Sequence, residues 1–246
     1  MKPENKVAYI TGGDGMGRQI ALQYAKEGAK IGFITRSAGS ADETVRLLTE
    51  MGAEVVYTLG DVSDEEVLLA SMKKTEEAFG PIDIVVNNVG MDIFKHFHEL
   101  ESAEWDKIFN VNLKAAFLTS KYALSSMMER HTSVIINISS AAALHPSLEP
   151  HVYSVTKDAL NMMTRIMAFD YAHYNIRVNS ICPGLVFTKI LKQVGEDYVN
   201  SIVETIPAKR IGQVQDIANM AVFLASDEAS YVNGDVIAVD GGLSLA

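Results

Sequence analysis

Short apolar runs rich in β-branched residues recur along the whole sequence, and longer stretches of helical period separate them. Val7–Thr11, Lys30–Thr35, Val55–Leu59, Ile82–Asn87, Ser133–Ile138, Ile176–Ile181 and Val236–Val239 read as strands. Helical period covers Arg18–Gly28, Ala41–Met51, Asp64–Phe79, Ser102–Arg130, Val152–His173 and Val214–Ala225. Ser63 or Asp64 caps the third of these, and the fourth has a candidate break near Asn110–Asn112. Strands alternating with helices pair in parallel, because each crossover helix carries the chain back to the end of the sheet where the previous strand began. The fold class is therefore α/β: one doubly wound parallel sheet of about seven strands, with helices on both faces. A single domain accounts for residues 1–246, and Thr188–Glu204 reads as a helical insert suited to a lid over a substrate.

Composition narrows the classes of partner. A hydrophobic share of 48% in 246 residues supports a sizeable core. The formal net charge of −10 opposes nucleic acid or an anionic membrane as the main partner, since both require a basic footprint. The single cysteine, Cys182, excludes an internal disulfide and a multi-cysteine metal site, and reads as a small buried hydrophobe. The first residues run into a strand without a signal-peptide core, and no apolar run approaches the roughly 18 residues of a membrane helix. The expectation is a cytoplasmic protein.

In such sheets ligands bind at the carboxyl ends of the strands, where strand order reverses. Thr11-Gly12-Gly13-Asp14-Gly15-Met16-Gly17 follows the first strand and opens a helix. Glycines there admit a pyrophosphate close to the backbone, and the helix start supplies amide donors. The plainer reading, a tight strand–helix turn, has less in its favour with both elements in place. Arg36 and Ser37 follow the second strand, where an acid would bind a ribose 2′-hydroxyl and a guanidinium suits a 2′-phosphate. Arg36 thus favours NADP(H) over NAD(H). Asp61 and Val62 either meet the adenine edge or serve the turn, Asp61 as its cap. Asn87, Val89 and Gly90 bring the chain against a cofactor without bulk, while Asn88 is expected to tie neighbouring strands together.

Tyr153 and Lys157 lie one above the other on a helix, being four residues apart. An ammionium beside a phenol favours the phenolate and brings its pKa down from about 10. The pair alone is weak, since this spacing arises by chance. Taken with Thr11–Gly17, Asn87–Gly90, Asn112 in Asn110-Val111-Asn112-Leu113, Ser140 in Ile138-Ser139-Ser140, Pro183-Gly184 and the ending Asn233–Gly242, it acquires meaning. The sequence resembles the short-chain dehydrogenase/reductase family over essentially its full length, and so implies a Rossmann-type sheet.

The resemblance implies hydride transfer between a nicotinamide cofactor and a carbonyl or secondary alcohol. It makes Tyr153 the general acid/base and Lys157 the residue that lowers its pKa and binds the nicotinamide ribose. Ser140 would hydrogen-bond the substrate oxygen, and Asn112 would hold a water linking Lys157 to solvent. Pro183, Gly184, Val186 and Thr188 would run beside the nicotinamide. Residues 141–152, His96, His98 and the lid would line the substrate pocket. No metal site is expected: His96 and His98 have no third ligand at metal spacing. His145 and His151 are not needed as bases, because Tyr153 fills that role.

The sequence departs from the family in its glycine loop, where only Gly13 and Asp14 separate Gly12 from Gly15 instead of three residues. Asp14 would repel a nearby 2′-phosphate and so argues against Arg36. Val89 stands where alanine is usual. The chain looks broadly similar to 3-oxoacyl-carrier-protein reductases, whose acidic partner would dock on a basic rim, for which Arg130, Arg165, Lys189 and Lys192 are the candidates. A hydroxysteroid or other apolar alcohol is the runner-up, from Met91, Phe94, Leu144, Leu148 and Leu191. A sugar or polyol ranks third. A non-catalytic nucleotide sensor is a distant alternative that the complete Ser140, Tyr153, Lys157 and Asn112 set opposes. The apolar ending Tyr231–Ala246 suggests a homotetramer, by resemblance.

Overall fold

The structure is a computed structural model, and the residues described are 3–145, 151–187 and 203–246. Residues 188–202 of the expected lid, with Thr188, Lys189, Leu191 and Lys192, lie outside the described residues, as do Leu148 and the side chain of His151.

The strands follow the sequence closely. They are β1 (Val7–Thr11), β2 (Lys30–Thr35), β3 (Val55–Leu59), β4 (Ile84–Asn87), β5 (Ser133–Ile138), β6 (Ile176–Pro183) and, after two short strands β7 (Val186–Phe187) and β8 (Gly212–Gln213), β9 (Val236–Val239). The helices are α1 (Gly15–Lys26), α2 (Ala38–Glu50), α3 (Glu65–Phe79), α4 (Ser102–Phe109), α5 (Ala115–Arg130), α6 (His151–Tyr171) and α7 (Val214–Ala225). The main sheet runs β3-β2-β1-β4-β5-β6-β9, with every pairing parallel. The chain leaves β1 in one direction for β2 and β3, and returns to its other side at β4. A crevice therefore opens at the carboxyl ends of β1 and β4.

Two apolar layers hold the sheet between helices. Ile10, Phe33, Val86 and Ile136 pack with Ile20, Tyr24, Leu48, Ile217 and Leu224 from α1, α2 and α7. On the opposite face Tyr9, Ile34, Val85 and Ile135 pack with Leu68, Met72, Leu118, Leu124 and Met127 from α3 and α5. Burying each large aliphatic fully stabilises the fold by about 1.5–3 kcal/mol.

The element boundaries that moved have local causes. Helix α1 begins at Gly15 rather than Arg18, because extended Asp14 caps it and accepts from the Gly15 amide at 2.8 Å. Helix α2 starts at Ala38, since the Ser37 hydroxyl accepts from Ser40 N at 3.2 Å. Strand β4 starts at Ile84: Asp83 sits at its mouth and accepts from Val7 N and the Arg130 guanidinium. Strand β6 continues to Pro183, whose neighbour Cys182 pairs with Ala238. The predicted break in the long helix is a π-helical turn over Asn110–Lys114. The β7–β8 pair has only two residues a side and carries no periodicity to read.

Candidate active site

The crevice holds a cleft of about 460 Å³, within the range of small-molecule sites. Of the residues singled out in the sequence, Gly12, Asp14, Gly15, Met16, Arg36, Ser37, Asp61, Val62, Val89 and Gly90 line it. Ser40, Ile34, Thr35, Gly60 and Val111 line it too and were missed. Ser40 comes from the first turn of α2, and only its spacing from the capping Ser37 could have pointed to it.

The glycine turn is built by close approaches within the chain. Gly12 has φ +90°, and a Cβ on Gly17 would lie 2.2 Å from the Gly12 carbonyl oxygen. Gly17 therefore lets α1 pack on the turn rather than lining the cleft. Asn88 ties β4 to β1, as expected: its Nδ2 donates to Thr11 O at 2.9 Å, and its amide to Thr11 Oγ1. Asn87 is corrected. Its side chain points into the core, donating to Asn137 Oδ1 at 2.8 Å and Ser120 Oγ at 3.1 Å, so any contact it makes with a ligand is through its backbone. The period of two along β4 sends alternate side chains to opposite faces. Pro183, Gly184 and Val186 stand past the cleft at the carboxyl end of β6, where Gly184 N donates to Val239 O.

Charges at the first two strand ends are paired. Asp14 Oδ2 accepts from Ser40 Oγ at 3.0 Å, and Arg18 lies 3.4 Å from its Oδ1. The repulsion expected of Asp14 is thus softened by a helix start, a hydroxyl and a guanidinium. Arg36 is 3.5 Å from Asp61 Oδ2. Asp61 Oδ1 accepts from the amide and hydroxyl of Ser63 at 2.9 and 2.7 Å. Asp61 therefore serves the turn while facing the cleft. Burial raises its pKa, but the Ser63 bonds and Arg36 outweigh that and leave it below the usual carboxylate range.

The cleft ends at Gly90, where a Cβ would come within 3.2 Å of Lys157 Nζ. Lys157 is 2% exposed, and its Nζ donates to Ile138 O at 2.8 Å. Burial pulls its pKa down from 10.5 to about 8. Its Nζ lies 5.6 Å from the centre of the Tyr153 ring. Ser139 Oγ donates to Lys157 O at 3.0 Å, which fixes the end of β5 to α6. Ser140 follows in extended conformation, and its Oγ accepts from Ala142 N at 3.1 Å. Its own O–H can donate as well.

Asn112 is tied to the chain after β4 and to α6. Its Oδ1 accepts from Met91 N at 2.8 Å, and its Nδ2 donates to Met91 O and to Thr156 Oγ1 at 2.9 and 3.0 Å. Both ends of the amide are thus anchored, and Oδ1 keeps a second lone pair that can accept. Thr156 Oγ1 in turn donates to Tyr153 O at 2.7 Å. Asn112 and Thr156 therefore join the chain after β4 to the first turns of α6, a link the sequence did not signal. Arg130 is also corrected: it binds Asp83 and Ile82 O at the amino end of β4, far along the strand from the crevice. The His96 and His98 rings stack 5.8 Å apart, and among the described residues no group of three or more His, Cys, Asp or Glu could hold a metal.

A family model described as enoyl-(acyl carrier protein) reductase matches residues 11–244. 2-(S)-hydroxypropyl-CoM dehydrogenase 3 of Xanthobacter autotrophicus is 36% identical over 98% of this chain and 97% of its own length. The 3alpha-hydroxysteroid dehydrogenase of Mediterraneibacter gnavus is 33% identical over 98% of both. L-sorbose reductase from Gluconobacter frateurii, solved with NADPH and L-sorbose, superposes with a TM-score of 0.93 at 33% identity, over 99% of this chain and 98% of that one. Among the described residues no helix is long and apolar enough to cross a membrane. The chain belongs to the short-chain dehydrogenase/reductase family and is an oxidoreductase acting on the CH–OH group of its donors.

Proposed function

We propose that the protein is a cytoplasmic, NADP(H)-dependent carbonyl reductase or secondary-alcohol dehydrogenase in which Tyr153 is the general acid/base. The observation that carries this reading is the meeting of the cleft with Lys157 at Gly90, which brings a dinucleotide-sized groove to the Tyr153 helix. The residues present fit the cofactor. Gly12 to Met16 offer a glycine turn and a helix start to a pyrophosphate, Arg36 and Ser37 face the adenosine ribose, and Val89 and Gly90 leave room beyond. When bound, the cofactor supplies the hydride chemistry.

The chain manages the proton. Tyr153 gives one to the carbonyl oxygen in reduction and removes one in oxidation. Lys157 holds a buried positive charge beside the ring, which favours the phenolate. The Ser140 hydroxyl donates to the substrate oxygen as charge develops there. Pro183, Gly184, Val186 and Thr188 are assigned to the nicotinamide side.

The substrate is a ketone or secondary alcohol. Docking of an acidic carrier protein loses one of its supports, since Arg130 belongs to the far end of β4. An apolar alcohol gains from Phe94 and Leu144, which are exposed on the loops after Met91 and Ser140. A ketone panel assayed with each cofactor tests both parts. NADPH is expected to bind more tightly than NADH by fluorescence titration. Arg36→Ala should cost NADPH about ten- to hundredfold, from the loss of about 1.5–3 kcal/mol of charge-assisted bonding. Equal affinity for both cofactors in wild type would remove the NADP reading.

We assign the assembly as a homotetramer. Val155, Met162, Ile166 and Phe169 recur at helical spacing on α6 and are exposed, Phe169 to 86%, as is Tyr231 near the ending. Sedimentation should give about four times the 26.8 kDa chain mass, and Phe169→Glu should lower it. A wild-type monomer at micromolar concentration would end this assignment.

A further inference from the structure

Three charged side chains face the adenosine end of the cleft: Asp14, Arg36 and Asp61. Asp14 is turned to the Gly15 amide, Ser40 and Arg18. Asp61 is anchored from behind, because its Oδ1 accepts both Ser63 bonds while Oδ2 faces Arg36 at 3.5 Å. Arg36 is 67% exposed on a long side chain, so the guanidinium is the mobile partner and the carboxylate the fixed one.

We propose that Asp61 is a specificity-determining residue: it competes with the 2′-phosphate of NADPH for Arg36 and keeps the preference over NADH narrow. This rests on the assignment of Arg36 above. A 2′-phosphate carries close to two negative charges and recruits a guanidinium through its fork of donors. In this cleft it must draw Arg36 from Asp61 or share it, and it stays near a fixed anion in either case. NADH has a neutral 2′-hydroxyl and meets neither cost. Counting Asp14 with Arg18 and Asp61 with Arg36, the adenosine end is charge-balanced rather than basic. A strict NADPH enzyme would present a net positive charge there.

The test is Asp61→Asn in the full-length protein. The amide keeps an oxygen for the Ser63 bonds and removes the charge. Dissociation constants for NADPH and NADH are read by fluorescence titration at low and high salt, beside Arg36→Ala. The expected result is NADPH tightened about tenfold, or about 1.4 kcal/mol, with NADH within about twofold of wild type. The gain should shrink at high salt, where the Debye length falls to about 3 Å at 1 M. Equal shifts for both cofactors would mean that Asp61 acts only on the turn or the adenine, and would overturn the proposal. No shift for either would overturn it as well. If Arg36→Ala narrows the preference but Asp61→Asn does not widen it, the Asp61 proposal alone fails. If Arg36→Ala changes nothing, the Arg36 assignment falls with it.

Discussion

Tyr153→Phe should lower turnover by about 10²–10⁴-fold while leaving cofactor affinity nearly unchanged. The substitution removes one oxygen from a half-buried ring and leaves the ring in place. The bond from Thr156 Oγ1 to the Tyr153 carbonyl uses the backbone, so the start of α6 keeps its anchor. Lys157 keeps its bond to Ile138 O and still lies over a ring. What disappears is the hydroxyl to which we assign the proton exchange with the substrate oxygen. Steady-state kinetics with a reducible ketone, paired with fluorescence titration of the cofactor, separate the two quantities. Activity at wild-type level in the phenylalanine variant would remove Tyr153 from the chemistry.

Lys157→Met should inactivate the enzyme and stabilise the cofactor-free protein. Turnover is expected to fall by at least about 10²-fold, since the phenolate loses its neighbouring charge. The stability change follows from burial. Lys157 is 2% exposed, and its pKa falls from 10.5 to about 8, so at pH 7 the fold still holds a charged ammonium out of water. That shift withholds about 3 kcal/mol from the folded state. Methionine fills similar space without the charge and gives up the bond to Ile138 O, worth about 1 kcal/mol. A net gain of about 1–2 kcal/mol remains, or roughly 2–8 °C in Tm for a chain of this size.

The pH dependence has a definite sign. Because the folded pKa lies below the unfolded one, the unfolded state binds more protons between about pH 8 and 10.5, and wild-type stability rises with pH there. Below pH 8 the penalty is complete and constant. The advantage of the methionine variant should therefore be largest at neutral pH and fade towards pH 10.5. Scanning calorimetry without cofactor at pH 7 and pH 10 measures it. A variant less stable than wild type at pH 7 would mean that the charge is well accommodated after all.

Much of the fold was legible because its signals are local. Five of the seven main strands fall on the residues that the β-branched runs marked, from Val7–Thr11 to Val236–Val239. The polar Asn110–Asn112 stretch flagged the π turn, since a helix of uninterrupted period would carry an apolar face through it. Glycine and capping residues were less well read. Asp14 and Ser37 start their helices three residues earlier than the apolar period suggests, because a cap is satisfied by amides and not by a hydrophobic face.

The candidate site divides in the same way. Ser140, Tyr153 and Lys157 were visible because their spacing and their place after strands are properties of the chain order. The side-chain direction of Asn87 and Asn112 was not legible, because an asparagine has the same appearance in sequence whether its amide faces a ligand or the core. Only neighbours remote in the chain decide: Asn137 and Ser120 for the first, Met91 and Thr156 for the second. The charge on Arg36 could likewise be counted, but its pairing with Asp61 depends on two strand ends lying side by side.

The alternation of strand and helix, the glycine turn and the tyrosine–lysine spacing are local features, each fixed by residues within a few positions of one another. Tertiary structure alone decided which polar groups are spent on one another and which are left for a ligand. The physical reason is that a buried hydrogen-bonding group must find a partner at contact distance, and that partner is chosen by how the sheet and helices pack.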